Sequence, residues 1–103
     1  MDEEDLRKVK ELRRRVEQHL DIDEFIFFGS RAYGEPLKHS DFDIIVVSKD
    51  FKGLRMAERM NVVFDHWEHD EMLEVFGYTP EEFEMKKKEI GTIREGVKRG
   101  VRV

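Results

Sequence analysis

Residues 25–47 read FIFFGSRAYGEPLKHSDFDIIVV, and this stretch has three parts. The apolar run Phe25–Phe28 stops at a glycine and a serine, a polar loop follows, and a second apolar run begins at Phe42. Short runs of aromatic and β-branched residues bounded by Gly, Pro and Ser are typical of β-strands. We therefore predict a strand that ends at Phe28, a loop, and a second strand over Phe42–Ser48.

Two carboxylates, Asp41 and Asp43, stand at the start of the second run. Because side chains alternate along a strand, both point to one side of it, about 6.6 Å apart. Two acids at the mouth of a buried strand repel each other and lose solvation unless something positive lies between them. Mg²⁺ meets this need, since it prefers carboxylate oxygens together with substrate phosphates. The pair thus predicts a site for one or two Mg²⁺ ions.

Gly29 and Ser30, directly after the first strand, predict an anion site. Glycine lets the backbone approach a ligand closely, and the backbone N–H groups and the serine hydroxyl can donate to a phosphate. Two common phosphate motifs are excluded. Glu35 and Pro36 occupy the Lys and Ser/Thr positions of a P-loop, and Arg31 occupies the second glycine position of a dinucleotide-binding fingerprint.

The segments GSRAYG (29–34) and SDFD (40–43) together resemble the signature of the minimal nucleotidyltransferases, the smallest members of the DNA polymerase β-like superfamily. The later segments YTPEEF (78–83) and IREGV (93–97) extend the resemblance over most of the chain. It implies an α/β fold with a small mixed β-sheet, helices mainly on one face, and an antiparallel pairing of the first two strands. It also implies that the Gly-Ser pair holds the triphosphate of a nucleotide.

By the same resemblance, Asp41 and Asp43 share the Mg²⁺ ions with a third acid on a later strand. That acid stands a few residues before the YTPEE segment, and here the position is Glu74, where the family more often has Asp. Glu74 lies in the apolar run Met72–Phe76, which predicts a strand. Asp65, on a predicted helix, and Asp70, in a predicted turn, are the fallback candidates.

Three residues of the loop have roles that the sequence leaves open. Arg31 is either a contact for a phosphate or a partner, or a solvated charge. Ser40 contacts a phosphate, orients the loop or forms an ST-turn. Tyr33 stands where the family more often has a second Arg, and one charged contact of the family is therefore absent from this position.

The remaining periodicities predict helices and one capping motif. Thr79, Pro80 and Glu82 form the pattern of an N-cap, a first helical residue and a capping box. The segment HWEH (66–69) has a spacing that could suit zinc, but no further His or Cys ligand is evident, so we expect solvated or capping histidines. The predicted helices are Asp2–Leu20, Leu54–His66, Pro80–Glu89 and a last one that Thr92 caps and that runs to Lys98 or Arg99.

Composition limits the function classes. The 103 residues predict one domain, 1–103. A net charge of −5 argues against a general nucleic-acid surface. No apolar stretch approaches the roughly 20 residues of a membrane span. The absence of cysteine excludes disulfides and agrees with a reducing cytoplasm, where we expect the protein to act.

The sequence therefore predicts Mg²⁺-dependent transfer of a nucleoside monophosphate from a nucleoside triphosphate to a hydroxyl, with release of pyrophosphate. Glu74 would help to activate the hydroxyl. The resemblance implies ATP as the donor and a helical HEPN-type toxin as the partner and acceptor, which makes the protein an antitoxin. Two alternatives stay open: a catalytically weak module that neutralises its partner by contact, and a small-molecule nucleotidyltransferase that a partner subunit completes.

Overall fold

A computed structural model describes residues 1–34 and 41–103 of the chain. These ranges contain four α-helices and four β-strands, and one 3-10 turn over Lys49–Phe51 precedes the second helix. The elements are α1 (Glu3–Val16), β1 (Ile22–Phe28), β2 (Phe42–Ser48), α2 (Met56–Phe64), β3 (Leu73–Tyr78), α3 (Pro80–Lys86), α4 (Thr92–Arg99) and β4 (Val101–Arg102).

The strands form one mixed sheet in the order β3-β2-β1-β4. β1 and β2 pair antiparallel, with Phe28 opposite Asp43. β2 and β3 pair parallel, with Asp43 opposite Glu74. The predicted mixed sheet and the antiparallel pairing of its first two strands are thus confirmed. The turn that follows β1 begins at Gly29 and covers residues 29–34, and we call it the glycine turn. The register brings this turn, the start of β2 and the start of β3 to one end of the sheet.

Helices cover both faces of the sheet, with the two longest on the same face. The spacing of Leu6, Val9, Leu12, Val16 and Leu20 predicts one apolar stripe on α1. The face under α1 and α2 carries the larger core, in which Val9, Leu12 and Val16 of this stripe are fully buried against Phe25 and Phe42. Burial of such a stripe is the main reason why an amphipathic helix of this length is stable.

The shorter helices α3 and α4 contact the opposite face, where Ile26, Phe28, Ile45 and Val47 form a second cluster. The close approach of α4 depends on Gly96, because a Cβ at this position would lie 2.9 Å from Cδ2 of Phe28. The helices leave the end of this face uncovered, and the cleft described below opens there.

Several element boundaries differ from the sequence prediction. α1 ends at Val16, four residues before the predicted end. β1 begins at Ile22, three residues before the apolar run Phe25–Phe28 that predicted it, because Ile22 already pairs with Ser48, with a bulge between Ile22 and Glu24. The capping box is confirmed: the Thr79 hydroxyl accepts from the backbone N–H of Glu82, whose carboxylate accepts from the Thr79 N–H. The N-cap of α4 is Gly91, so Thr92 is the first helical residue and does not cap it.

The last strand, β4, was not predicted. It pairs with β1 at the edge of the sheet, and the N–H of Val103 donates to the carbonyl of Phe25 at 3.0 Å. A strand of two residues is too short to show periodicity, so it can be recognised only from its pairing with β1.

No helix in the described part of the chain is long and apolar enough to cross a membrane.

Candidate active site

A cleft of about 490 Å³ opens at the end of the sheet where β1 stops and where β2 and β3 begin. Three acids and three aromatic rings contribute to its walls, together with the first residues of α4. The lining residues are Phe28, Gly29, Tyr33, Asp43, Glu74, Phe76, Gly91, Thr92 and Glu95.

The glycine turn after β1 forms one wall of the cleft. Gly29 has φ = 83°, a backbone conformation that side chains disfavour, and its carbonyl accepts from the N–H groups of Ala32 and Tyr33 at 3.0 and 3.1 Å. A Cβ on Gly29 would lie 2.1 Å from Oδ2 of Asp43. The backbone of the turn therefore approaches β2, the strand that carries Asp43, at a distance that only glycine permits.

Asp43 and Glu74 lie side by side, because they are register partners on the parallel strands β2 and β3. Asp43 is half-buried, whereas Glu74 is exposed to solvent. Burial, the charge and hydrogen bonding of the neighbouring Glu74, and the charge of Asp41 together raise the pKa of Asp43 to about 7. The site therefore favours a cation or a proton beside these acids.

Asp41 is exposed at the start of β2 and is not part of the cleft wall. Residues 1–34 and 41–103 contain no group of three or more His, Cys, Asp or Glu side chains arranged to hold a metal ion. The structure thus brings Asp43 and Glu74 together and leaves Asp41 beside them. This donor set still fits Mg²⁺, which is usually held by one or two carboxylates plus substrate phosphates and not by an all-protein cage.

The other predicted contacts of the nucleotide have different positions. Ser30 follows Gly29 in the turn and is half-buried. Arg31 points toward α1, where its Nη1 lies 3.2 and 3.3 Å from the two carboxylate oxygens of Asp5, and its guanidinium lies 4.6 Å from the centre of the Phe42 ring. Ser40 lies outside the described residues, so its predicted role stays a prediction.

The fallback acids and the histidine segment lie away from the cleft. Asp65 is the C-cap of α2, and Asp70 is exposed in the connection before β3. His66 stacks on His19 with ring centres 4.7 Å apart, and the ring of His69 contacts Trp67 edge-on. Each histidine ring of the segment thus packs against another ring.

Some cleft residues were missed by the sequence analysis. Glu95 and Thr92 reach the cleft from α4, and the Tyr33 ring is covered by the guanidinium of Arg99 at 4.0 Å from the ring centre. The segment 93–97 had contributed only to the resemblance. Its glycine, Gly96, was the available signal, since a glycine inside a short helix often marks a close approach.

Comparison with known proteins places these observations in a family context. A family model described as "Nucleotidyltransferase domain" matches residues 9–100. A candidate nucleotidyltransferase from Sulfolobus solfataricus has a similar crystal structure, with 26% sequence identity and a TM-score of 0.64 over 97% of this chain and 82% of that one.

BolA1 from Arabidopsis thaliana is also similar, with 21% identity and a TM-score of 0.55 over 73% of this chain and 94% of that one. At this identity the likeness concerns the fold alone. None of the curated proteins compared with the chain matches it significantly.

Proposed function

Because the chain belongs to the family of nucleotidyltransferase domains, we propose that it is a Mg²⁺-dependent enzyme that transfers a nucleoside monophosphate, AMP from ATP, to a hydroxyl. The observation that carries this proposal is the close approach of Gly29 to the carboxylate of Asp43, which lies beside Glu74. A Cβ on Gly29 would lie 2.1 Å from Oδ2 of Asp43, so a triphosphate on the turn would lie directly beside the acids.

The proposed roles follow from the positions of the side chains. The backbone N–H groups of the turn and Ser30 would hold the β- and γ-phosphates. Asp43 and Glu74, together with Asp41, would hold two Mg²⁺ ions. When bound, Mg²⁺ neutralises charge on the phosphates of the donor. Asp43 would then be fully ionised, because a bound cation favours the carboxylate form.

The transfer itself is a displacement at the α-phosphorus. The acceptor oxygen forms a bond to this phosphorus, and the bond from the phosphorus to the oxygen that bridges to the β-phosphate breaks. Pyrophosphate leaves with the electron pair of that bond. We assign the proton of the acceptor hydroxyl to the Glu74 carboxylate, which is exposed at the cleft and therefore accessible to an acceptor from solution.

For the acceptor we propose a tyrosine hydroxyl of a helical HEPN-type toxin, which would make this protein an antitoxin acting in the cytoplasm. The support is the resemblance at residues 29–34 and 40–43. A small hydroxyl compound is the alternative acceptor, in an active site completed by a partner subunit.

A second candidate function is neutralisation of the same partner by contact, with little or no catalysis. Two observations favour it. The described residues contain no group of three or more His, Cys, Asp or Glu side chains arranged to hold a metal ion, and the Tyr33 ring, at a position where the family more often has Arg, is covered by Arg99.

Labelling of the partner distinguishes the two functions. The protein would be incubated with a HEPN-type toxin, Mg²⁺ and ATP labelled at the α-phosphate, beside an Asp43→Asn variant and an Asp23→Asn control that removes an exposed acid on β1 outside the cleft. Label on the toxin with the wild type and the control, but not with Asp43→Asn, supports the enzyme. Neutralisation without label, by the wild type and by Asp43→Asn alike, supports the contact function and contradicts transfer.

A further inference from the structure

One polar row of helix α1 connects the parts of the candidate active site. Its members are Asp5, Lys8, Glu11 and Arg15, spaced so that they share a side of the helix. Asp5 pairs with the Arg31 side chain of the glycine turn. The other three contact the segment that leads into β3, where Glu74 lies: Lys8 with Glu71 at 3.1 Å, Glu11 with His69 at 3.6 Å and Arg15 with Glu68 at 2.6 Å.

The first of these contacts is the most buried. Asp5 is 5% exposed, and the Arg31 side chain is 11% exposed. A carboxylate with so little solvent needs its positive partner, so removal of either group leaves an uncompensated charge. The exposed pair of Glu4 and Arg7 on the same helix has side chains that are 57% and 55% exposed, and such a pair contributes little.

The Arg31 side chain also contacts β2, the strand that carries Asp43. Its guanidinium stacks over Phe42, the residue between Asp41 and Asp43 in the sequence, whose ring lies in the core on the α1 face. A planar guanidinium that is paired at its edge and stacked on its face has little rotational freedom. Arg31 therefore links α1, the glycine turn and the start of β2.

We infer that Asp5 and Arg31 are positioning residues, which set the glycine turn at its distance from Asp43 and do not contact the nucleotide. This inference rests on the proposed function, since it names the residues that hold the nucleotide turn in place. Arg31 contacts Asp5 and Phe42 on the α1 face of the sheet, whereas the cleft opens on the opposite face and Arg31 is not among its lining residues.

A double-mutant cycle separates positioning from phosphate contact. The variants are Asp5→Asn, Arg31→Gln and the double variant, with Glu4→Gln and Arg7→Gln as controls that remove the same charges at the exposed pair. Calorimetric titration with Mg²⁺-ATP gives the affinity. We expect each single variant of the buried pair to lose affinity on the order of 10-fold, the double variant to lose no more than either, and the controls to bind like the wild type.

A direct phosphate contact would give a different pattern. Arg31→Gln would then weaken binding, while Asp5→Asn would leave the affinity unchanged or increase it, because the arginine would be released and a negative charge removed. That result would overturn the inference. Asp5→Glu keeps the charge, and we expect it to bind more tightly than Asp5→Asn. If Asp5→Asn does not fold, Asp5→Glu replaces it, and because its longer side chain displaces the pairing carboxylate, we expect it to bind Mg²⁺-ATP more weakly than the wild type.

Hydrogen exchange provides a readout that does not depend on the nucleotide. The N–H groups of Ala32 and Tyr33 donate to the Gly29 carbonyl, and we expect them to exchange faster in Asp5→Asn than in Glu4→Gln, while the amides of the β1–β2 ladder stay protected. If the wild type bound no Mg²⁺-ATP, the proposed function would fail, and the exchange rates alone would decide the positioning role. Equal exchange of these two amides in both variants would overturn it.

Discussion

At the scale of the residue, two positions determine whether the cleft can hold a nucleotide. Gly29 brings the backbone against Asp43, and burial and Glu74 raise the pKa of Asp43. Glycine supplies conformation and space, and the aspartate supplies charge. These are separate contributions, and a substitution at each position tests them separately.

Gly29→Ala should abolish or strongly weaken nucleotide binding, because the new Cβ would collide with the Asp43 carboxylate. The matched control is Gly53→Ala. Gly53 has nearly the same φ of 84°, but a Cβ there would meet nothing within 4 Å. Both variants should lose about 1–2 kcal/mol of stability from the backbone strain. Only Gly29→Ala should lose affinity for Mg²⁺-ATP, on the order of 10- to 100-fold in a calorimetric titration; equal affinities in the two variants would contradict the prediction.

Asp43 predicts a pH dependence of stability in the absence of metal. Its pKa is raised to about 7 in the folded protein from an ordinary value of 3.8. Between these values the folded state holds a proton that the unfolded state lacks, so the contribution of Asp43 to the free energy of unfolding is greatest at low pH and falls as the pH rises through about 7.

Asp43→Asn removes this loss. The variant should gain stability relative to the wild type between pH 5 and pH 8, on the order of 1 kcal/mol because the carboxylate is partly solvated. Urea unfolding in the presence of EDTA at the two pH values measures the gain, with Asp23→Asn as the control. A difference between variant and wild type that does not change with pH would show that Asp43 is not perturbed in this way.

At the scale of the element, Arg59 joins α2, β3 and α3. Its buried guanidinium donates to the carbonyls of Leu54 and Gly77 and to the carboxylate of Glu82, the capping-box residue of α3. Gly77 also packs closely against Arg59, since a Cβ on Gly77 would lie 3.1 Å from the Arg59 Cβ. One side chain thus fixes two helices to the edge strand that carries Glu74.

Arg59→Ala should therefore destabilise the protein by about 2–3 kcal/mol, because it leaves these acceptors without their charged donor. Arg55→Ala is the control on the same helix: the Arg55 side chain is 88% exposed and pairs only with Glu58 one turn on, among the contacts of the described residues. Its cost should stay below about 0.5 kcal/mol. Similar midpoints of urea unfolding for the two variants would show that Arg59 contributes no more than a surface pair.

The elements that local pattern specifies were predictable, and those that depend on a distant partner were not. The apolar run of β2 gave its bounds, Phe42–Ser48, and the Thr79 motif gave the start of α3. β4 has two residues, and pairing with β1 alone defines it.

Asp5 shows the same limit at the level of one side chain. The apolar stripe predicted for α1 comprised Leu6, Val9, Leu12, Val16 and Leu20. Asp5 lies four residues before Val9 and is buried together with Val9, Leu12 and Val16. A carboxylate in phase with an apolar stripe was the available signal for a buried ion pair. Its partner, Arg31, could not be predicted, because the pair depends on how α1 packs against the turn.

At the scale of the whole molecule, the larger hydrophobic core and the candidate active-site cleft lie on opposite faces of the sheet. The larger core lies between the sheet and the helices α1 and α2. The cleft opens on the other face, at the end of three strands, where α4 covers the sheet only in part. Ligand binding in this cleft would add contacts between segments that are distant in the sequence, and it would therefore stabilise the entire fold.

Thermal unfolding should show this linkage. At a Mg²⁺-ATP concentration of 100 times the Kd, the folded state gains about 2.7 kcal/mol, which corresponds to a rise in Tm of roughly 10 °C or more for a domain of this size. ATP with EDTA should give a much smaller rise, and Asp43→Asn with Mg²⁺-ATP should give almost none. A rise that did not depend on Mg²⁺ or on Asp43 would indicate binding outside the cleft.

We propose that the glycine turn and the Asp43–Glu74 pair form a metal–nucleotide site. Anomalous diffraction from crystals grown with Mn²⁺ and a non-hydrolysable ATP analogue tests it most directly. We expect a manganese peak at coordination distance from the carboxylates of Asp43 and Glu74, with the triphosphate on the backbone of Gly29 and Ser30. Manganese and triphosphate bound elsewhere, or an empty cleft at saturating concentrations of both, would contradict the claim.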